Sequence, residues 1–183
     1  EEGAIGPIEA LAEAAAGLGV LSLAGDIDGR IRSVPLLAQT GDQLRPGLAI
    51  EAVRVARDAG SYFVTGAPAA LKVADLAVPL ETTAMLRLRP GDGARHEARA
   101  LSVKTILERS PARERMRGGI VVVGSSAPEA GGLRQSHSGD LVPSVHVQAD
   151  AIEQLLAADW PVRPGWARLA ELIAMAAAGG LLV

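Results

Sequence analysis

Gly119-Ile120-Val121-Val122-Val123-Gly124 is the stretch whose reading decides the fold. Consecutive β-branched residues favour extended backbone, and the flanking glycines bound the run. With no polar alternation, it predicts a strand buried on both faces, in a sheet covered by helices. Upstream, Met85-Leu86-Arg87-Leu88-Arg89 alternates and predicts a half-buried strand. Pro90-Gly91-Asp92-Gly93 follows as a turn, and Ser102 is placed to cap a short helix through Leu107 that stops before Pro111. Arg109 to Arg117 carries both signs of charge and reads as a solvated connection. Downstream, Val145 to Leu156 places Ala149, Ile152, Leu155 and Leu156 on one helical face. Strand, helix, buried strand, helix predicts a βαβ-like unit within an α/β fold: a central mixed sheet with packed helices.

Nearer the start, Gly6-Pro7 is a helix entry, Ile8 to Ala16 is helical, and Gly17 is a C-cap. Val20 to Ala24 and Arg30 to Leu37 read as two strands around Asp28-Gly29, a strong hairpin signal. Leu48 to Ala59 has helical periodicity and ends at Gly60. Tyr62 to Val64 is a short strand. Leu71 to Leu80 is ambiguous, with Pro79 confining any strand to an edge or an end. Ser125 to Pro143 lacks periodicity, and an unstructured loop of this length usually carries function or moves.

The chain has 183 residues, enough for one domain with a proper core. Apolar residues make up 49%, which excludes wholesale disorder. Lys+Arg is 18 against 21 Asp+Glu, a net charge of −3 that disfavours general nucleic-acid binding. Aromatics are 2% (Tyr62, Phe63, Trp160, Trp166), too few for a base-stacking platform. There is no cysteine, so disulfides, thiolate metal sites and cysteine nucleophiles are excluded. The chain opens on Glu1-Glu2 with neither Met nor a signal peptide, and reads as a piece excised from a longer chain.

No phosphate-binding glycine loop occurs. Asp26-Ile27-Asp28-Gly29 resembles the opening of a calcium loop but lacks the later oxygen ligands, so a plain turn is the expectation, with Asp26 capping it. His96, His137 and His146 lack the spacing of a helical zinc pair, and no metal or cofactor is expected. Ser136-His137-Ser138-Gly139-Asp140 holds the three triad residue types, but neighbours in sequence rarely reach triad geometry. Ser126 follows the predicted strand where a hydrolase nucleophile would sit, yet Pro128 takes the place of the last Gly in G-x-S-x-G. Ligands of open α/β sheets bind beyond the carboxyl ends of strands, where Ser125 and Ser126 fall.

Leu172 to Val183 is uninterrupted apolar or small residues, preceded by Trp166 and Arg168. A membrane span needs about 20 such residues. Two readings stand open: a C-terminal core helix, or the start of a truncated transmembrane helix with interfacial anchors.

Several blocks together resemble the second type of CHASE domain, an extracytoplasmic sensor module of bacterial adenylate cyclases, histidine kinases and related receptors. The first is Asp26-Ile27-Asp28-Gly29-Arg30-Ile31-Arg32-Ser33-Val34-Pro35-Leu36, similar to the family's acidic residue, x, Asp-Gly, apolar, x, Arg, then apolar-Pro-Leu. Gly47-Leu48-Ala49-Ile50-Glu51 resembles the next helix start, and Val78-Pro79-Leu80 a further block. Gly119 to Pro128 resembles the family's apolar strand followed by small residues. Val142-Pro143-Ser144-Val145-His146-Val147-Gln148-Ala149 resembles its Pro-Gly-Val-x-x-His-Ala helix, and Arg163-Pro164 leads into its transmembrane helix. Gly132, Ser144 and Gln148 depart from the family's usual Asp, Gly and His.

The resemblance implies a non-catalytic sensor over residues 1–165 and the juxtamembrane start of a transmembrane helix over 166–183. It implies a place on the outer face of a bacterial cytoplasmic membrane. It also implies an earlier half of the module, whose absence would leave a sheet edge uncovered. An unknown small-molecule or protein stimulus would be passed through the tail, paired in a homodimer, to a cytoplasmic cyclase or kinase. Nucleic acid is not an expected partner. The candidate ligand residues are Ser125, Ser126, His137 and His146, which bracket the long loop. The alternatives are a small serine hydrolase using Ser126 and His137, or an interaction module with no ligand.

Overall fold

Alternation along 69–79 builds one wall of the core. β5 (Ala69–Val73) and β6 (Leu76–Pro79) bury Leu71, Val73, Leu76 and Val78 and leave Lys72 and Ala77 exposed. A period of two puts every apolar side chain on the inner face. The two strands pair with Val73 opposite Leu76, across a tight turn in which Ala74 takes φ 50°. β4 (Phe63–Gly66) pairs with β5 on its other side, Val64 opposite Leu71, completing a three-stranded antiparallel sheet. The ambiguous 71–80 stretch is therefore parts of two strands, and Pro79 ends the edge strand, where its missing N–H costs no ladder bond.

The computed structural model describes residues 5–80, 83–108, 110–127, 132–161 and 166–181. α1 (Glu9–Ala14) buries no residue. β1 (Ser33–Pro35) pairs antiparallel with β7 (Met85–Arg87), Val34 opposite Leu86. β2 (Leu37–Thr40) and β3 (Gln43–Pro46) form a hairpin, as do β8 (Leu133–Gln135) and β9 (Leu141–Pro143). Ile31 N donates to the Gln135 carbonyl (2.8 Å), tying the β1 side to the β8–β9 hairpin, and Leu88 N donates to the Arg32 carbonyl (2.8 Å), extending the β1–β7 pair. α2 (Leu48–Ala56) buries Ala49, Ile50, Glu51 and Val53. α6 (Ser144–Leu156) buries Val147, Gln148, Ala151, Ile152, Gln154 and Leu155, the three-and-four spacing of one helical face. The two helices close over Val34, Leu36, Leu71, Val78 and Leu86 in a single apolar cluster. Burying each Val, Leu or Ile there fully contributes about 1.5–3 kcal/mol before entropy is counted.

The α/β class stands, but its layout differs from the expected central mixed sheet. Among the described residues there are four small sheets, each antiparallel, and the one parallel contact is an isolated bridge, Val20 to Gly47. The 120–123 run is not a strand buried on both faces. It is extended but unpaired: Ile120 and Val122 pack on the core, while Val121 is 51% and Val123 81% exposed. A β-branched run favours extended backbone, but whether an edge or a second covering layer meets it depends on the rest of the chain. With that strand unpaired, the predicted βαβ-like unit is absent among the described residues.

The Asp28-Gly29 turn forms as expected. Gly29 takes φ 79°, Gly29 N donates to the Asp26 carbonyl (2.8 Å) and Asp26 N to the Arg30 carbonyl (2.9 Å). Its arms do not continue as a hairpin, because the second arm pairs with β7 instead. On α6, Ile152 and Leu155 are buried as predicted, but Leu156 is 46% exposed and Val147 and Ala151 take the inner positions. α3 (Gly93–Arg99) follows directly on the predicted 90–93 turn, in a stretch where no element is predicted; the Asp92 side chain caps it by accepting Ala94 N (3.0 Å). α4 (Val103–Glu108) starts directly after Ser102 as predicted, and α5 (Ser110–Glu114) interrupts the expected solvated connection.

α7 (Ala167–Leu181) is not a core helix. Trp166, Leu169, Leu172, Ile173 and Met175 are each at least 59% exposed. Among the described residues, no helix is long and apolar enough to cross a membrane. The proposed boundary at 165/166, Arg163-Pro164 and Pro128 fall at or within segments outside the described residues.

Candidate functional site

The 119–126 segment runs past the N-terminus of α6. Gly124 lies so close to Val145 that a β-carbon there would stand 2.7 Å from the Val145 Cβ. This approach borders a cleft of about 420 Å³, lined by Val121, Val123, Ser126, Val145 and His146 and also by Ile106, Met116, Arg99 and Arg115. Its volume and apolar walls match small-molecule sites, which span roughly 300–1,000 Å³.

The four predicted site residues divide. Ser126 and His146 line this cleft. Ser125 is exposed, and its Oγ accepts the N–H of Ala127 (3.1 Å), a local turn bond. His137 sits in the β8–β9 connection and lines a second cavity of about 210 Å³, with Ser136, Ser138 and Asp140. Ser138 Oγ donates to Asp140 Oδ2 (2.8 Å), and the His137 Nδ1 is buried with no hydrogen-bond partner among the described residues. Ser126 and His137 thus line different cavities, so the nucleophile–base contact a serine hydrolase needs is not assembled.

What lies between the two cavities was not legible in sequence. His96 on α3 lines the second cavity and His146 on α6 lines the first. Their rings stack at 4.7 Å between centroids and 14° between planes. His96 is 7% exposed, and its Nε2 lies 2.9 Å from Asp150 Oδ2. Arg99 donates to Asp150 and, at 2.5 Å, to Glu153 Oε2; Arg95 pairs with Glu153 at 2.7 Å. Gly91 must be small here, because a β-carbon would stand 2.8 Å from Asp150 Oδ2 and 3.0 Å from His96 Cε1. Gln154 fastens the same helix to β7, its Nε2 donating to the Arg87 carbonyl (2.7 Å) and its Oε1 accepting Arg89 N (2.9 Å). The signal in sequence was a basic cluster, Arg95, His96 and Arg99, facing acidic Asp150 and Glu153 across about fifty residues.

Burial is the main cause that lowers the His146 pKa from its ordinary 6.5. His96 and Arg99 push the same way, and Asp150 opposes them. Gln148, at the family's usual His position, is 1% exposed, and neither of its amide atoms finds a hydrogen-bond partner among the described residues.

Among the described residues, no group of three or more His, Asp or Glu could hold a metal ion. Asp26 and Asp28 are taken by Arg32, which donates to Asp26 Oδ2 (2.7 Å) and to Asp28 Oδ1 (2.9 Å) and Oδ2 (2.6 Å). The Arg32 hydrogen bond is the main cause that holds the Asp28 carboxyl well below the usual carboxylate range. The motif Asp-x-Asp-Gly-x-x-Arg is therefore a turn that its own arginine closes.

The structure is thus an α/β domain with a ligand-sized cleft and an exposed apolar helix at its end. The chain belongs to the CHASE2 domain family, whose model matches residues 4–183. CHASE2 domains are extracellular sensory domains of signalling receptors, not catalytic ones. No curated protein and no solved structure matches the chain.

Proposed function

We propose that this chain is the extracytoplasmic sensor of a bacterial transmembrane receptor that drives a cytoplasmic cyclase or kinase. Residues 1–165 form the sensing part, and 166–183 begin the helix that carries the signal into the membrane. The observation that carries this reading is α7. Its large apolar side chains stand exposed, an arrangement costly in water and natural for a helix continued into lipid. Trp166 at its start is 70% exposed, where an interfacial anchor sits.

The stimulus site is the cleft of Ser126 and His146, flanked by Ser125, with His137 in the neighbouring cavity reached through the His146–His96 stack. A ligand moves the receptor only through differential affinity for two states, and α6 offers the link, since it carries His146 and leads toward the tail. In a homodimer, two tail helices in contact form the element that shifts.

The test uses the full-length parent in its native membrane. The sensor is expected to be cut by protease added outside intact cells, and the parent to fractionate with membranes. Disulfide cross-linking through Cys introduced along 166–181 is expected to trap a dimer. A parent that fractionates as soluble protein, with the sensor shielded from outside protease, overturns the reading.

A further inference from the structure

We propose that the cleft beside residues 119–124 takes a small amphipathic carboxylate, its apolar body against Val121, Val123, Ile106 and Met116 and its anionic head at Arg115. This rests on the reading of that cleft as the sensor's ligand site. Among the described residues, the cleft is lined by two arginines and by no Asp or Glu. Arg99 is already neutralised by Asp150 and Glu153. Arg115 is different. Its Nη2 donates to the Ala98 carbonyl (3.1 Å), and it forms no ion pair with any described residue.

A guanidinium carries five N–H donors, and a carboxylate takes two of them in parallel. Ser126 and His146, which line the same cleft, add donors. A cation with no ion-pair partner among the described residues, on a mostly apolar lining, favours an anion over a neutral or cationic ligand of the same shape. The apolar remainder of the lining then takes the ligand's body, as in most small-molecule sites.

The test is titration calorimetry on the 183-residue chain with octanoate, benzoate, octan-1-ol and octylamine. Two variants accompany it, Arg115→Gln and Val123→Trp; both side chains are exposed, and circular dichroism checks that each variant folds. At least one carboxylate is expected to bind about tenfold or more tightly than the alcohol and the amine. Arg115→Gln is expected to remove about that factor, and Val123→Trp to block the cleft to all ligands. An alcohol that binds as well as the carboxylates, and is blocked by Val123→Trp, retains the ligand site and overturns the anionic class. Carboxylate binding indifferent to Val123→Trp, or no binding by any of the four at millimolar concentration, overturns the proposal at this cleft. Neither result touches the receptor topology, which the protease experiment decides separately.

Discussion

The imidazoles of His96 and His146 stack nearly parallel, 4.7 Å apart, and separate two cavities while tying α3 to α6. His96 faces Asp150, with Arg99 bonded to the same carboxylate, and His146 lines the cleft. The stack therefore packs α3 against the cleft end of α6.

Acid is expected to weaken the fold through His146. Its folded pKa lies below the ordinary 6.5, so the unfolded chain takes the proton first as pH falls. This contribution to stability is whole above 6.5 and is lost as pH falls toward the lower folded value. Denaturant melts between pH 7.5 and 5 are expected to show the loss, and His146→Gln to flatten it. An unchanged slope in the variant would place the titration elsewhere.

Gly91→Ala is expected to destabilise by about 1–3 kcal/mol, because the new methyl meets an Asp150 carboxylate held by both His96 and Arg99. Gly93→Ala, two residues on, has nothing within 4 Å and sits in the first turn of α3. It is expected to be neutral or to stabilise by up to about 1 kcal/mol. Equal melting temperatures for the two variants would show that the Gly91 contact does not matter.

Tyr62→Phe is expected to cost about 1–3 kcal/mol at neutral pH. Burial works against the charge of Glu51, but hydrogen bonds from Arg54 and Tyr62 outweigh it and hold the carboxyl below its ordinary 4.5. Burial and the Glu51 contact push the Tyr62 pKa up, so the phenol stays a donor. That stabilisation is present above 4.5 and is lost as pH falls through the lower folded value, so variant and parent should converge in acid. A gap that persists at pH 2 would assign the loss to packing instead.

Gln148→Met is expected to stabilise by about 1 kcal/mol, since it replaces two buried, unpartnered amide atoms with a side chain of similar volume. Thermal denaturation checks it. A clear drop in stability would mean that the amide serves a polar partner at this position.

Local readings from sequence held where neighbours alone decide. The Asp28-Gly29 turn, the start of α4 after Ser102, α2 from Leu48 and the edge position of Pro79 each depend on a few adjacent residues. The family was legible for the same reason: its blocks are short, and their order lies along the chain. The 120–123 run failed where propensity stops, because Ile-Val-Val-Val says extended but not paired or covered. The candidate site was half legible. Ser126 and His146 stand at one cleft, yet His137 turns into another cavity and Ser125 into a local turn.

By itself, then, the sequence determined the α/β class, the family and the apolar character of the tail, all of which follow from composition, period and block order. Only the tertiary structure decided which side chains meet. It brought His96 against His146 and Arg99 against Asp150 across about fifty residues, and it placed Arg115 on a mostly apolar cleft with no ion-pair partner among the described residues. Such contacts are set by how α3 and α6 pack, and packing is a balance over the whole core that no local window of residues contains.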